Sequence, residues 1–315
     1  MLKKSMKRLV IPIFLFLFLV SAVQYDMKAG QYLSKCERDE LIGSLCHLLF
    51  KKKNTHGDED RLRYLSKKVQ ADIRFLKCTK VTWDELRKTI INKPRGKRKF
   101  TAFGYGSLIN PKRNLELVHT KDYIPALLIG YKRVFHLDHP SPETSSVGLP
   151  AVEHPKETAR LDIFPTHNSS DIVNGVLFEI DLRDFERFKA RESVYDIHEC
   201  LVINYAEAMD PNNRFPTFES AYVLSLPEDH PTRNPNVLPH IVYLYNYLKG
   251  GEYWEHQETT MEGEDKPLYP GYVDLLAETT YLSDQRTTLY QWIKRQGACK
   301  NILFPQSKKN PARCR

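Results

Sequence analysis

A chain of 315 residues, 41% hydrophobic and 27% charged, has the composition of a folded globular protein with one or two domains and excludes wholesale disorder. Its formal net charge of +8 suggests nucleic acid until the basic residues are located. They gather at Lys3 to Arg8, Lys93 to Lys99 and Lys308 to Arg315; elsewhere acids and bases nearly cancel, and no zinc-finger or aromatic RNA-binding motif accompanies them, so no nucleic-acid partner is expected.

A basic stretch, the apolar run Leu9 to Val20 and then Ser21-Ala22 open the chain. This is the layout of a signal peptide (1–22) cut after Ala22 or, read through to Val23, of a membrane anchor. Both send the remainder across a membrane, to a secreted, lumenal or periplasmic location, and membrane contact follows only if the segment is uncleaved. In an oxidising compartment Cys36, Cys46, Cys78, Cys200, Cys299 and Cys314 would form one to three disulfides, with the pairing open and no CxxC spacing to suggest zinc. Asn168-Ser169-Ser170 is either a glycosylation sequon or a polar turn.

Residues 23–92 read as a helical N-terminal region. Glu40, Leu41, Leu45, Leu49 and Phe50 recur at helical spacing, Asp60 to Phe75 suits a second helix, and Thr82-Trp83-Asp84-Glu85 fits a capping box. The region is a cap, a protein-binding module acting through residues 31–91, or a removable pro-segment. The basic linker 93–99 that follows is either a processing site or a solvated loop.

Phe100 to Arg113 (FTAFGYGSLINPKR) then reads as a buried strand that breaks into Gly104-Tyr105-Gly106-Ser107. Glycine permits close backbone approach, so N–H groups of such a loop can hold a carboxylate or an oxyanion; the same glycines also suit a strand end against a tight neighbour. Tyr123 to His136, with Gly130 in its middle, is one bent strand or two short ones. His136 to Pro142 reads as loop, and His136, Asp138 and His139 match no strong metal-ligand spacing. Asp171 to Ile180 is a strand, Leu182 to Ser193 a helix N-capped by Asp181, and Tyr195 to Tyr205 and Phe218 to Leu226 two more strands. Beyond the loop Glu228 to Pro239, helices are expected at His240 to Lys249, Pro270 to Leu276 and Thr287 to Arg295; the tyrosines of the first either pack in the core or line a channel. Strands interspersed with helices make a mixed α+β domain.

Four blocks in order carry a resemblance: YGSL at 105–108, GYKRVF at 130–135, NGVLFEI at 174–180, and Arg191-Glu192 followed by Tyr195. Over about residues 100 to 205 the chain resembles the gamma-glutamylcyclotransferase superfamily, with its ChaC-type and gamma-glutamylamine branches. The resemblance implies a small twisted β-barrel with flanking helices over 100–230, here with a helical C-terminal extension at 231–304 and a flexible basic tail at 305–315. It also implies release of 5-oxoproline from a γ-glutamyl amine, amino acid or peptide, by attack of the substrate's α-amine on its γ-carbonyl, with no metal or organic cofactor. Glu192 would be the catalytic acid and base, Tyr105, Gly106, Ser107 and Leu108 the substrate loop, and Tyr195 a neighbour of the site. Arg113 either binds an acidic substrate group or lies on the surface. One departure stands out: the family's glycine before the tyrosine is here Val194, which puts standard glutathione specificity in question. No G-x-S-x-G elbow supports Ser107 as a nucleophile. The rival expectations are a non-catalytic protein-binding module on the same fold, and an enzyme acting on protein-linked γ-glutamyl groups.

Overall fold

A computed structural model describes residues 32–50, 57–70, 79–111, 122–138, 151–152, 156–214, 216–261 and 264–296. The apolar leader, Arg113, His139 and the basic tail lie outside the described residues. The amino-terminal elements are β1 (Tyr32–Leu33), α1 (Lys35–Phe50), α2 (Gly57–Gln70), β2 (Thr79–Val81) and α3 (Trp83–Ile91). Then come β3 (Lys99–Gly104), β4 (Tyr123–Ile129), β5 (Tyr131–Asp138), β6 (Ala151–Val152), β7 (Ala159–Pro165), β8 (Ile172–Asp181), α4 (Leu182–Glu192), β9 (Asp196–Asn204), α5 (Tyr205–Met209) and β10 (Phe218–Ser225). The carboxyl-terminal part holds α6 (Ile241–Glu255), β11 (Glu258–Met261), β12 (Glu264–Pro267), α7 (Tyr272–Glu278), β13 (Thr280–Leu282) and α8 (Leu289–Arg295).

Five strands close into a small barrel in the order β10-β3-β8-β4-β9, because β10 pairs with β3 in parallel and with β9 in antiparallel register. Strand alternation explains why the sheet can close on itself. Phe103, Leu177, Ala126, Leu128, Val202, Ala221 and Val223 form one buried cluster drawn from all five strands. Their neighbours Phe100, Ala102, Phe178, Ile180, Ile203 and Leu224 belong to a second cluster shared with the helices. Flanking helices on a closed sheet make this a mixed α+β barrel fold. A separate sheet, β13-β5-β7, packs beside it.

Tyr123 to His136 resolves into two strands, β4 and β5, turned at Gly130, whose φ of 84° lies in the region that disfavours a side chain. His136 and Asp138 are strand residues, a correction to their reading as loop. Polar neighbours make this possible: His136 Nε2 lies 3.0 Å from Asp162 Oδ2, and Asp138 accepts hydrogen bonds from Thr158 Oγ1 and Asn234 Nδ2.

At the amino terminus Leu41, Leu45 and Leu49 bury one face of α1 in the same cluster as Leu244 and Tyr247 of α6. Arg38 clamps the fully buried Glu157, with Nε 2.7 and 2.8 Å from its two oxygens. Thr82 and Glu85 form the capping box that starts α3. Cys36 and Cys46 are disulfide-bonded, while Cys200 is a buried free thiol. Asn168 Oδ1 accepts the Ser170 N–H in a tight turn before β8. No described helix is long and apolar enough to cross a membrane.

Candidate active site

Two elements bring the site together. Helix α4 begins at Asp181, whose side chain accepts the N–H groups of Arg183 and Asp184. Its rings Phe185 and Phe188 pack edge-on against Phe100, and Phe188 also against Phe178. That seating on the barrel carries Glu192, in the last turn, to the end of β3. Glu192 is only 7% exposed, and its Oε1 lies 3.0 Å from Arg191 Nε.

The second element is the turn after β3. Ser107–Ile109 is a single 3-10 turn, closed by the Ile109 N–H on the Gly106 carbonyl at 3.0 Å. Leading N–H groups of such a turn have no partner inside it. That of Ser107 is turned toward the Tyr243 hydroxyl, beside the N–H of Leu161. Packing here is tight: a Cβ on Gly106 would stand 2.7 Å from Tyr243 Oη. From below, the fully buried Arg133 fixes the backbone, donating from Nη1 to the carbonyls of Tyr105 at 3.3 Å and Asn174 at 2.6 Å.

Between these elements lies a cavity of about 190 Å³. Tyr105, Gly106, Ser107, Leu108, Glu192 and Tyr195 all line it, so the described candidates converge on one space, and Arg113 lies outside the described residues. Val194 stands at its rim, 55% exposed. Among the described non-glycine residues only His167 and Gln285 have a positive φ, so the turn before Tyr195 does not require glycine. Arg160, Arg191 and Tyr243 also line the cavity. Sequence reasoning left Arg160 out, and used Arg191 only as part of the block that carries the resemblance. The available signal was Arg160 itself, a cation inside the apolar strand ARLDIFP.

Burial sets the protonation of the site. Desolvation pushes the Glu192 carboxyl above its ordinary range, with Arg191 pulling weakly the other way. Burial likewise raises Tyr105, Tyr195 and Tyr243, so all three hydroxyls stay protonated at neutral pH and can donate hydrogen bonds. The cavity thus pairs a desolvated carboxyl with neutral hydroxyl donors and two guanidinium groups.

The Gly106 contact yields a direct prediction. Gly106→Ala forces its methyl onto the Tyr243 hydroxyl and should destabilise the fold by about 1–3 kcal/mol. In a Tyr243→Phe background the contacting oxygen is gone and most of that loss should be recovered. A denaturant double-mutant cycle reads the coupling; additive losses would show that the contact does not limit the turn.

No protein-family model and no curated protein matches the chain. Solved structures do. One, described as a gamma-glutamyl cyclotransferase, is 16% identical, covers 41% of this chain and 67% of its own, and has a TM-score of 0.31. The yeast gamma-glutamyl cyclotransferase specific to glutathione is 17% identical, covering 58% of this chain and 97% of its own with a TM-score of 0.34. YkqA from Bacillus subtilis is 17% identical over 53% of each chain, with a TM-score of 0.37. The chain is similar to gamma-glutamyl cyclotransferase structures. At these identities the likeness concerns the fold, and the chemistry has to be derived from this chain's own side chains.

Proposed function

We propose that the protein is a γ-glutamyl cyclotransferase that releases 5-oxoproline from a γ-glutamyl amine, amino acid or peptide. The observation that carries this reading is the placement of the buried Glu192 in one cavity with the Tyr105–Leu108 turn. The α-amine of the substrate attacks its own γ-carbonyl carbon, and a five-membered ring closes as the bond to the leaving nitrogen breaks. Glu192 accepts the proton shed by the attacking amine and returns it to the leaving nitrogen, so the enzyme ends as it began. The carbonyl oxygen, negative in the intermediate, is met by a donor fixed beforehand, the Tyr105, Tyr195 or Tyr243 hydroxyl. Arg160 and Arg191 offer the cationic wall for the substrate's α-carboxylate.

Cavity size supports a compact head group. About 190 Å³ is below the roughly 300–1,000 Å³ typical of drug-sized ligands, which suits a folded γ-glutamyl group with its leaving amine directed outward. The leader sequence supports a secreted, lumenal or periplasmic enzyme. The test is incubation of the full chain with γ-glutamyl amino acids, γ-glutamylamines and glutathione, followed by mass analysis. Release of 5-oxoproline from at least one substrate is expected; folded protein that turns over none of them, while retaining a protein partner, would establish the non-catalytic alternative.

A further inference from the structure

A second cleft, of about 820 Å³, shares no lining residue with the first. Ser225 and His136 face this cleft while their strand neighbours Leu224 and Leu137 face the smaller cavity, as successive residues on a strand must do when they serve opposite sides. His136 is a buried polar group of its wall. The ring is 6% exposed and stacks on Phe164 with centroids 6.0 Å apart and planes 16° from parallel.

Asp162 fixes which nitrogen of that ring is available. This fully buried carboxylate accepts from Arg233 Nη2 at 2.9 Å and from the Leu226 N–H at 3.2 Å, and lies 3.0 Å from His136 Nε2. A carboxylate only accepts, so Nε2 carries a hydrogen, and in that tautomer Nδ1 is the acceptor. Nδ1 has no hydrogen-bond partner among the described residues and belongs to a ring that lines the cleft. The cleft's cations are already matched, Arg233 by Asp162 and Lys80 by Asp196 at 2.7 Å. Glu228 and Asp229, both exposed on its wall, are left as excess negative charge.

An acceptor nitrogen at depth and uncompensated acids at the mouth select a ligand that is a cation and a hydrogen-bond donor. We propose that this cleft binds an organic primary ammonium group, which donates to His136 Nδ1 and is drawn in by Glu228 and Asp229. The site is independent of the cyclotransferase chemistry.

The experiment is calorimetric titration of the full chain with cadaverine, and separately with inorganic phosphate. Saturable cadaverine binding is expected, weakened about tenfold by the surface double substitution Glu228→Gln with Asp229→Asn. It should be lost in His136→Phe, provided near-UV circular dichroism shows a native fold; if that variant does not fold, the surface pair decides alone. The proposal is overturned by no cadaverine binding, by equal binding in the surface pair or in folded His136→Phe, or by phosphate binding in place of the amine.

Discussion

Glu192→Gln should keep its fold and lose 5-oxoproline release by about 10³-fold, within the range general acid–base catalysis contributes. The substitution preserves shape and removes the capacity to carry a proton between two nitrogens. Stability gives an independent reading of the same carboxyl. Its folded-state pKa is raised above the ordinary 4.5, chiefly by burial. The folded state therefore binds the proton more tightly than the unfolded chain, and wild-type stability falls as pH rises from about 4.5 through the raised value. The amide of the variant does not titrate and has no such dependence. Relative to wild type the variant should show no gain below that window and a growing gain across it, levelling above, in urea unfolding measured at a series of pH values. A relative loss that deepens with pH would show that the 3.0 Å pairing with Arg191 outweighs desolvation. Turnover of the wild type should rise over the same window, because only the ionised form accepts the amine proton.

Arg133→Met should destabilise the protein by about 3–5 kcal/mol, the scale of breaking a buried charged network. No carboxylate pairs with this guanidinium among the described residues. It is held instead by Thr280 Oγ1 at 2.8 Å, Asn174 O at 2.6 Å, Asn174 Oδ1 at 3.1 Å and Thr279 Oγ1 at 3.1 Å, with the Tyr247 ring 5.2 Å away. Methionine fills much of the volume and leaves those acceptors orphaned. Arg133→Lys retains charge without the planar fork, so it should recover only part of the loss. A KM increase in Arg133→Lys, larger than any fall in kcat, is expected because the Tyr105 carbonyl loses its anchor at 3.3 Å. Unfolding free energies of both variants within about 0.5 kcal/mol of wild type, the scatter of an ordinary surface substitution, would remove Arg133 from this role.

The half of the site made by local sequence was legible. Asp181 announces the start of α4 and its phenylalanines mark the buried face, while Glu192 at its end is picked out by the Arg191-Glu192 block that carries the resemblance. Likewise the glycines after Phe103 mark where backbone must come close to something else. What they approach was not legible, because Tyr243 arrives from a helix in which Ile241, Val242, Tyr243 and Leu244 are all buried, so no periodicity singles out one face. Arg160 was hidden for a different reason: its place depends on how β7 lies beside the barrel. His136 to Asp138 reads as loop by composition, and becomes strand only once Asp162, Thr158 and Asn234 supply partners from elsewhere in the chain. The hairpin of β11 and β12 lacks the apolar alternation that would have announced it. In the amino-terminal region the apolar face of α1 was plain, but its packing against α6 was not.

Helix α6 has an uncommon double duty, since Tyr243 walls the cavity while Tyr247 and Leu248 sit in the packing shared with α1. A ribosome that has released residues 100–230 has delivered the acid and the glycine turn without the wall that faces them. The pocket is therefore a late product of synthesis, complete only when α6 has emerged and packed against α1.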